Sequence, residues 1–257
     1  EFGDLTDVYV NQELFASTSQ VQWRLFYNTL ATQATSVGEI VLGTGGAFNR
    51  PGVPMTTVDG GYGGTSHWLH AINTVYGRVF VDRLQGKFFL MQENLAVFSG
   101  DLSSENKTYV QGVAIEDILV GSEPLHDRVF LKTGAKMWSY DLNKKVFVSR
   151  HTYFPRWMFS HGPHMFSNNI DSAQAGSNGY GVFKHSAGIT GVFYDKIHQD
   201  SITLAVNQNV ADAKLFKFTE LITKRMTEAG LNIPLITFNT MQAWNMERNT
   251  GLLTIIP

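Results

Sequence analysis

Apolar and polar residues alternate along most of this chain, and a period of two is the signature of half-buried β-strands. Val21, Trp23, Leu25 and Tyr27 alternate with polar neighbours. "GEIVLGTGGAF" (Gly38–Phe48) is a short apolar run closed by glycine-rich turns, and "RPGVP" (Arg50–Pro54) reads as a loop because prolines remove ladder donors. A meander follows. Trp68–Thr74, Arg78–Val81, Lys87–Met91 and Leu95–Ser99 read as strands, with turns at Tyr76-Gly77 and Asp82–Gly86. Residues 100–112 read as an exposed connection, and "VAIEDILV" (Val113–Val120) suits a strand or one helical turn. Beyond it, Arg128–Lys132, Lys136–Tyr140, Lys145–Arg150, His164–Asn168, Tyr180–His185, Gly191–Tyr194 and Ser201–Val206 read as strands, with a loop at Ile170–Gly179. "ADAKLFKFTELITKRMTEAG" (Ala211–Gly230) is ambiguous. Leu215, Phe218, Ile222 and Met226 form a helical stripe, whereas its threonines and aromatics permit strands.

The expected fold is therefore mainly β, with antiparallel sheets in a β-propeller-like or β-sandwich architecture. Three segments divide it: 1–57 as an N-terminal β segment, 58–206 as the meander, and 207–257 as a C-terminal β segment that admits a helix. Three hairpins share an Asp at the start of the turn: Asp82, Asp141 and Asp195, spaced 59 and 54 apart. Repeats of about 40–50 residues with four strands each suit propeller blades. An Asp at that position also bonds the backbone a few residues on, whatever the fold.

Composition narrows the function. The 257 residues are 43% hydrophobic and 12% aromatic, with 24 glycines and a net charge of −2. A near-neutral surface is not one built to hold DNA by neutralising phosphates, although it suits a wall past which DNA slides. With no cysteine, disulfides and thiolate chemistry are excluded. No apolar run approaches the ~18–20 residues of a membrane-spanning helix. The opening "EFG" is compatible with an internal cut, and the chain reads as a piece of something longer.

Candidate chemistry is sparse. His161 and His164 in "HGPH", with His151 nearby, lack the convergent third and fourth ligands of a metal site. Glu116 and Asp117 are adjacent, so on a strand they face opposite ways and form no dyad. "GTGG" and "GGYGG" have the glycines of phosphate loops but neither the Lys-Ser/Thr nor the surrounding βαβ pattern. No serine sits in a G-x-S-x-G elbow. The reading is of a non-enzyme with no catalytic residues, no metal and no cofactor. "SRHTYFPRWMFSHGPH" (Ser149–His164) is the densest aromatic and basic cluster. Three readings stay open for it: a subunit interface through His151, Tyr153, Phe154, Pro155, Arg156 and Trp157; an ordinary core loop; or a platform that stacks a ligand. As a sugar-binding module the chain would offer Trp157, Trp138 and Tyr153.

An ordered set of stretches resembles the tail nozzle (muzzle, or tail stabilisation) proteins of short-tailed bacteriophages, closest to those of crAss-like phages. The stretches are "GEIVLGTGGAFNRP", "DGGYGGTSHW", "YGRVFVDRLQGKFFL", "LAVFSG", "MWSYDLNKKVFVSRHTYFPRWMF", "FKHSAGITGVFYD" and "ITLAVNQNVADAKLF", covering roughly residues 38–250. Where that family tends to have Val-Asn-Pro, this chain has Gln208 in place of the proline. The resemblance implies a structural role in a ring, commonly of six copies, at the distal end of the tail. It implies β structure across Lys214–Arg225. It also implies partners: further copies of the chain, the adaptor, ring and fibre proteins of the tail, and DNA in transient passage. The location it implies is the virion, assembled in the host cytoplasm.

Overall fold

The computed structural model describes residues 2–11, 13–26, 30–36, 38–44, 51–100, 103–169, 181–188, 192–194, 196–197, 201, 225–226, 232–233, 240–243 and 250–254. The chain forms two compact units, Glu1–Ser201 and Ile202–Pro257. Residues 1–57 thus share a unit with the meander that follows. The architecture is mainly β, with several antiparallel sheets, and no sheet closes into a barrel among the described residues.

The first sheet has the order β1-β2-β3-β6, from β1 (Leu5–Asn11), β2 (Glu13–Thr18), β3 (Gln22–Leu25) and β6 (Val53–Pro54). A separate hairpin joins β4 (Leu30–Thr35) to β5 (Gly38–Thr44). The second sheet is a four-stranded meander of β7 (Ala71–Thr74), β8 (Gly77–Asp82), β9 (Lys87–Met91) and β10 (Leu95–Val97). The third repeats that order with β11 (Ile118–Glu123), β12 (Arg128–Thr133), β13 (Lys136–Asp141) and β14 (Val146–His151). The fourth comprises β15 (Met158–His161), β16 (His164–Asn169) and β17 (Gly181–Lys184), followed by a short pair, β18 (Val192–Phe193) and β19 (Lys196–Ile197). In the second unit the described pairs are β20 (Arg225–Met226) with β21 (Asn232–Ile233), and β22 (Thr240–Met241) with β23 (Leu253–Thr254). Ser201–Val206, apart from Ser201, and Ala211–Gly230, apart from Arg225–Met226, lie outside the described residues.

Within the first unit the four sheets stack in chain order, and strand alternation explains how. In β8, Val79 and Val81 point into one core shared with the third sheet, while Phe80 points into a different core shared with the first. In β12, Val129 and Leu131 face the second sheet and Phe130 faces the fourth; in β13, Trp138 and Tyr140 face back and Met137 faces forward. The second and third sheets are thus buried on both faces, so β8 and β11 are buried at every residue. That is why Val79–Val81 and Ile118–Val120 read as short continuous apolar runs rather than strict alternation. The first strand of the third sheet, β11, lies beside both β7 and β15, the first strands of its neighbours.

The Asp-led turns are alike in detail but not in place. Asp82 Oδ1 accepts from Gln85 N–H at 2.9 Å, and Asp141 Oδ1 accepts from Lys144 N–H at 2.8 Å. Each turn then ends in a left-handed residue, Gly86 (φ 67°) or Lys145 (φ 57°). Yet Asp82 closes the turn between the second and third strands of its sheet, whereas Asp141 closes the turn between the third and fourth. The shared motif marks a turn type, not a blade period; Asp195 lies outside the described residues. Lys145 bears the steric cost of the left-handed region that glycine avoids. Lys145→Gly is expected to raise stability by about 0.5–1 kcal/mol, read as a higher denaturant midpoint with an unchanged slope.

Two departures from the sequence reading have plain causes. Residues 103–111 are a helix, α1 (Ser103–Gln111), not an open connection. Its sequence carries no apolar stripe; Val110 enters a core, and Gln111 Nε2 donates to Leu84 O at 2.5 Å. Trp68–His70 is a 3-10 turn that leads into β7, and Ile115–Asp117 is another that leads into β11. The second ambiguity therefore resolves into both of its alternatives in succession.

Candidate functional site

Two polar clusters sit between sheets, and each is fixed by strand geometry. Between the first and second sheets, Arg78 of β8 is almost fully buried. Its Nη2 lies 2.5 Å from Asp7 Oδ2, its Nη1 donates to Asn73 Oδ1 at 3.1 Å, and its Cζ stands 3.5 Å over the Tyr9 ring. Tyr9 OH donates to Gln22 Oε1 at 3.1 Å, and Ser17 Oγ donates to the same oxygen at 2.5 Å. Burial pushes the Tyr9 phenol up, with Arg78 acting against it. The guanidinium is thus a cross-sheet pin whose charge is matched on the spot.

Nearby, the "GGYGG" loop is drawn onto the second sheet by Asp82. Its Oδ2 accepts from Gly64 N–H and from Gln85 Nε2, both at 2.9 Å. Burial raises this carboxyl above the usual range while those hydrogen bonds pull it back. A Cβ on Gly64 would stand 2.3 Å from Gln20 N, and one on Gly63 would stand 2.9 Å from the Phe89 ring. The glycines allow close approach of backbone to backbone and backbone to ring, which is packing and not anion binding. Asp82→Ala is expected to cost about 2–3 kcal/mol by stranding these N–H groups, with faster proteolysis near Gly60–Gly64 as the local readout.

The second cluster fills the layer between the third and fourth sheets. Ser167 of β16 has no exposed surface; its Oγ lies 2.5 Å from His185 Nε2 and 2.8 Å from Tyr194 OH. Around it pack Tyr153 and His151, with ring centroids 5.1 Å apart, and Phe193, stacked on Tyr153 at 4.4 Å. Glu123, at the end of β11, is buried; His126 Nδ1 lies 3.1 Å from its Oε2, and Arg128 pairs with it across the ladder. Burial lowers His151 to about 4, with His185 adding to the effect, and lowers His185 to about 4, with Glu123 opposing. Both imidazoles are therefore neutral at pH 7. A serine hydroxyl 2.5 Å from a neutral imidazole has the spacing of a nucleophile and its base. Here the hydroxyl is also bonded to Tyr194 and has no open surface, so the closed stack gives a substrate no access to it.

The six residues read from sequence as an interface separate sharply. Tyr153 and Pro155 are buried in the chain's own core, His151, Phe154 and Trp157 are half-buried, and Arg156 alone is exposed. Of the three aromatics offered for sugar stacking, Trp138 and Tyr153 are buried inside and unavailable; Trp157 lies beside Phe159, at 5.2 Å. His161 and His164 face each other across the β15–β16 turn, and no group of three His, Cys, Asp or Glu among the described residues is placed to hold a metal ion. Glu116 and Asp117 lie in a 3-10 turn, and Asp117 Oδ1 lies 3.6 Å from the buried Lys132 Nζ. Burial lowers that ammonium, with Asp117 opposing.

The outward faces of the stack carry exposed apolar residues, and on the fourth sheet these are set among His161, His164, Asn168 and Lys184. On the first sheet, Val8 and Val10 are exposed, in register with Trp23 and Leu25 across the same face. On the fourth, Phe159 is exposed and stacks on Phe166 at 5.3 Å, with exposed Val182 on the same face. Sequence reasoning missed the Ser167–His185–Tyr194 network because His185 and Tyr194 lie 18 and 27 residues beyond Ser167, each just past the end of a short strand. No helix among the described residues is long and apolar enough to cross a membrane. No family model and no curated protein matches the chain.

Proposed function

We propose that this chain is a structural component of a bacteriophage tail nozzle ring and forms part of the wall of the distal channel through which DNA leaves. The observation that carries this reading is that both outward faces of the sheet stack expose large apolar side chains, Val8 and Val10 on the first sheet and Phe159 and Val182 on the fourth. Exposed contiguous apolar faces mark surfaces that meet other protein. Flat sheet faces at opposite ends of a stack suit head-to-tail contact between identical copies, which closes into a ring when the rotation is right. The ordered likeness over residues 38–250 supports the same reading. So does the chemistry: the buried ionisable groups Arg78, Asp82 and His185 are hydrogen-bonded between packed elements. The near-neutral charge lets DNA pass without being gripped.

Electron microscopy of assembled particles tests this directly, with density for the chain expected in the tail ring. In particles carrying Val8→Asp with Val10→Asp, or Phe159→Asp, the ring is expected to be lost while the isolated chain keeps its circular dichroism. Rings that assemble normally from these variants, or particles without the chain, would overturn the reading.

A second reading, a carbohydrate-binding module for host recognition, is favoured by one observation: the Trp157–Phe159–Phe166 ladder, with steps of 5.2 and 5.3 Å, on the outer side of the fourth sheet. Saturable binding on a glycan array that disappears in Trp157→Ala would establish it.

A further inference from the structure

The geometry points to an acid-labile joint: the fourth sheet is held on the third by a layer that packs two histidines, His151 and His185, among aromatic rings, with one carboxylate, Glu123, to face two cations. His151 is wedged between Phe130, 5.3 Å away, and Tyr153, and its Nε2 is buried with no hydrogen-bond partner among the described residues. An imidazolium needs an acceptor at both nitrogens, and at His151 one is missing. His185 fails differently. Its Nε2 ends a buried chain with Ser167 Oγ, 2.5 Å away, and Tyr194 OH, 2.8 Å from that oxygen, and the neutral ring can join it as acceptor or as donor. The imidazolium can only donate there, which leaves the Ser167 or the Tyr194 hydroxyl proton to find a further acceptor.

The charges facing the pair do not compensate for two new cations. His151 faces His185 and Arg128 of β12, both of which oppose its protonation. His185 faces Tyr153, Tyr194, His151 and Glu123 of β11. Glu123 is the one carboxylate that favours its protonation; His126 Nδ1 already lies 3.1 Å from its Oε2, and one carboxylate cannot balance two imidazolium ions beside Arg128. Asp141 shares this side of the third sheet with Arg128 across the ladder, but it is bonded into its own turn. His164 alternates to the other face of β16 from Met165 and Ser167.

Folded-state values near 4 against an ordinary 6.5 fix the sign. The unfolded or opened form binds more protons, so the joint is at full strength above about pH 6.5 and weakens as pH falls towards 4. At pH 5 each histidine shifts the opening equilibrium by about 30-fold.

Amide hydrogen exchange on the full chain, corrected for intrinsic rates, tests this at pH 7.5 and pH 5. Peptides from β15 and β16 (Met158–Asn169) are expected to lose protection by about 30-fold or more, while those from β2 (Glu13–Thr18) change far less. The double variant His151→Phe, His185→Gln is expected to remove that difference; His70, buried elsewhere, remains in the variant and in the background. The wild type alone also decides the matter through its imidazole NMR resonances. Both are expected to stay neutral at pH 5.5 and to titrate together with loss of the fourth-sheet signals. Titration of either near 6.5 with the fourth sheet still protected, or equal acceleration of β2 and β15–β16, would overturn the proposal.

Discussion

Arg78→Ala is expected to lower the unfolding free energy by about 3–5 kcal/mol, the cost of removing one partner from a buried ion pair. The loss is not the attraction itself. It arises because Asp7 and Asn73 keep their desolvation while losing the guanidinium that compensates it, and because Tyr9 loses the cation stacked 3.5 Å over its ring. Since Arg78 is in β8 and Asp7 in β1, the damage falls on the contact between the first two sheets. Chemical denaturation should show the lower stability, and exchange at β1 and β2 should rise before that of β12 and β13. Arg78→Met with Asp7→Leu removes both charges and is expected to recover most of the loss, as replacement of whole buried pairs by apolar residues does. A double variant as unstable as Arg78→Ala would mean that the stacked cation, and not the pairing, dominates.

Phe88→Ala is expected to cost about 3–5 kcal/mol. Phe88 has no exposed surface and meets Trp138 at 5.9 Å, Phe98 at 5.9 Å and Phe147 at 6.4 Å between ring centroids. Those rings come from β13, the segment after β10, and β14, so a hole at Phe88 opens where the second and third sheets meet. Strands paired on both sides cannot close in to fill it, which places the variant at the upper part of that range. Phe88→Leu should lose much less. A heat-unfolding midpoint for Phe88→Ala within a degree or two of wild type would contradict double-sided packing of β9.

The sequence made the middle of the chain legible and the ends less so. Lys87–Met91 matches its strand residue for residue, and β8, β12, β13 and β16 differ by one or two at an end, because tight turns bound each run. The first hairpin is harder. Only Gln12 separates β1 from β2, so no Gly, Pro or Asn-Asp cluster announces a turn. The helix α1 went unseen for the opposite reason: it meets the core through one apolar side chain, and periodicity needs several. For the site, aromatic density drew attention to Ser149–His164 but could not say which way its rings point. A Tyr in a loop suits an outer surface or an inner one equally. Tyr153 turns inward because Tyr194, Phe193 and His185, some thirty to forty residues later, supply its walls, and single-sequence patterns carry no such long-range pairing.

The alternation in β8, β12 and β13 has a consequence for divergence. Neighbouring residues on these strands answer to different surroundings, so their histories should be uncoupled. When homologous chains are aligned, Val79 and Val81 should change in concert with Val129 and Leu131, and Phe80 with Tyr9 and Phe15. Adjacent columns such as 79 and 80 should drift independently. Odd and even positions of one strand would then read as two interleaved records, each kept by a different neighbour.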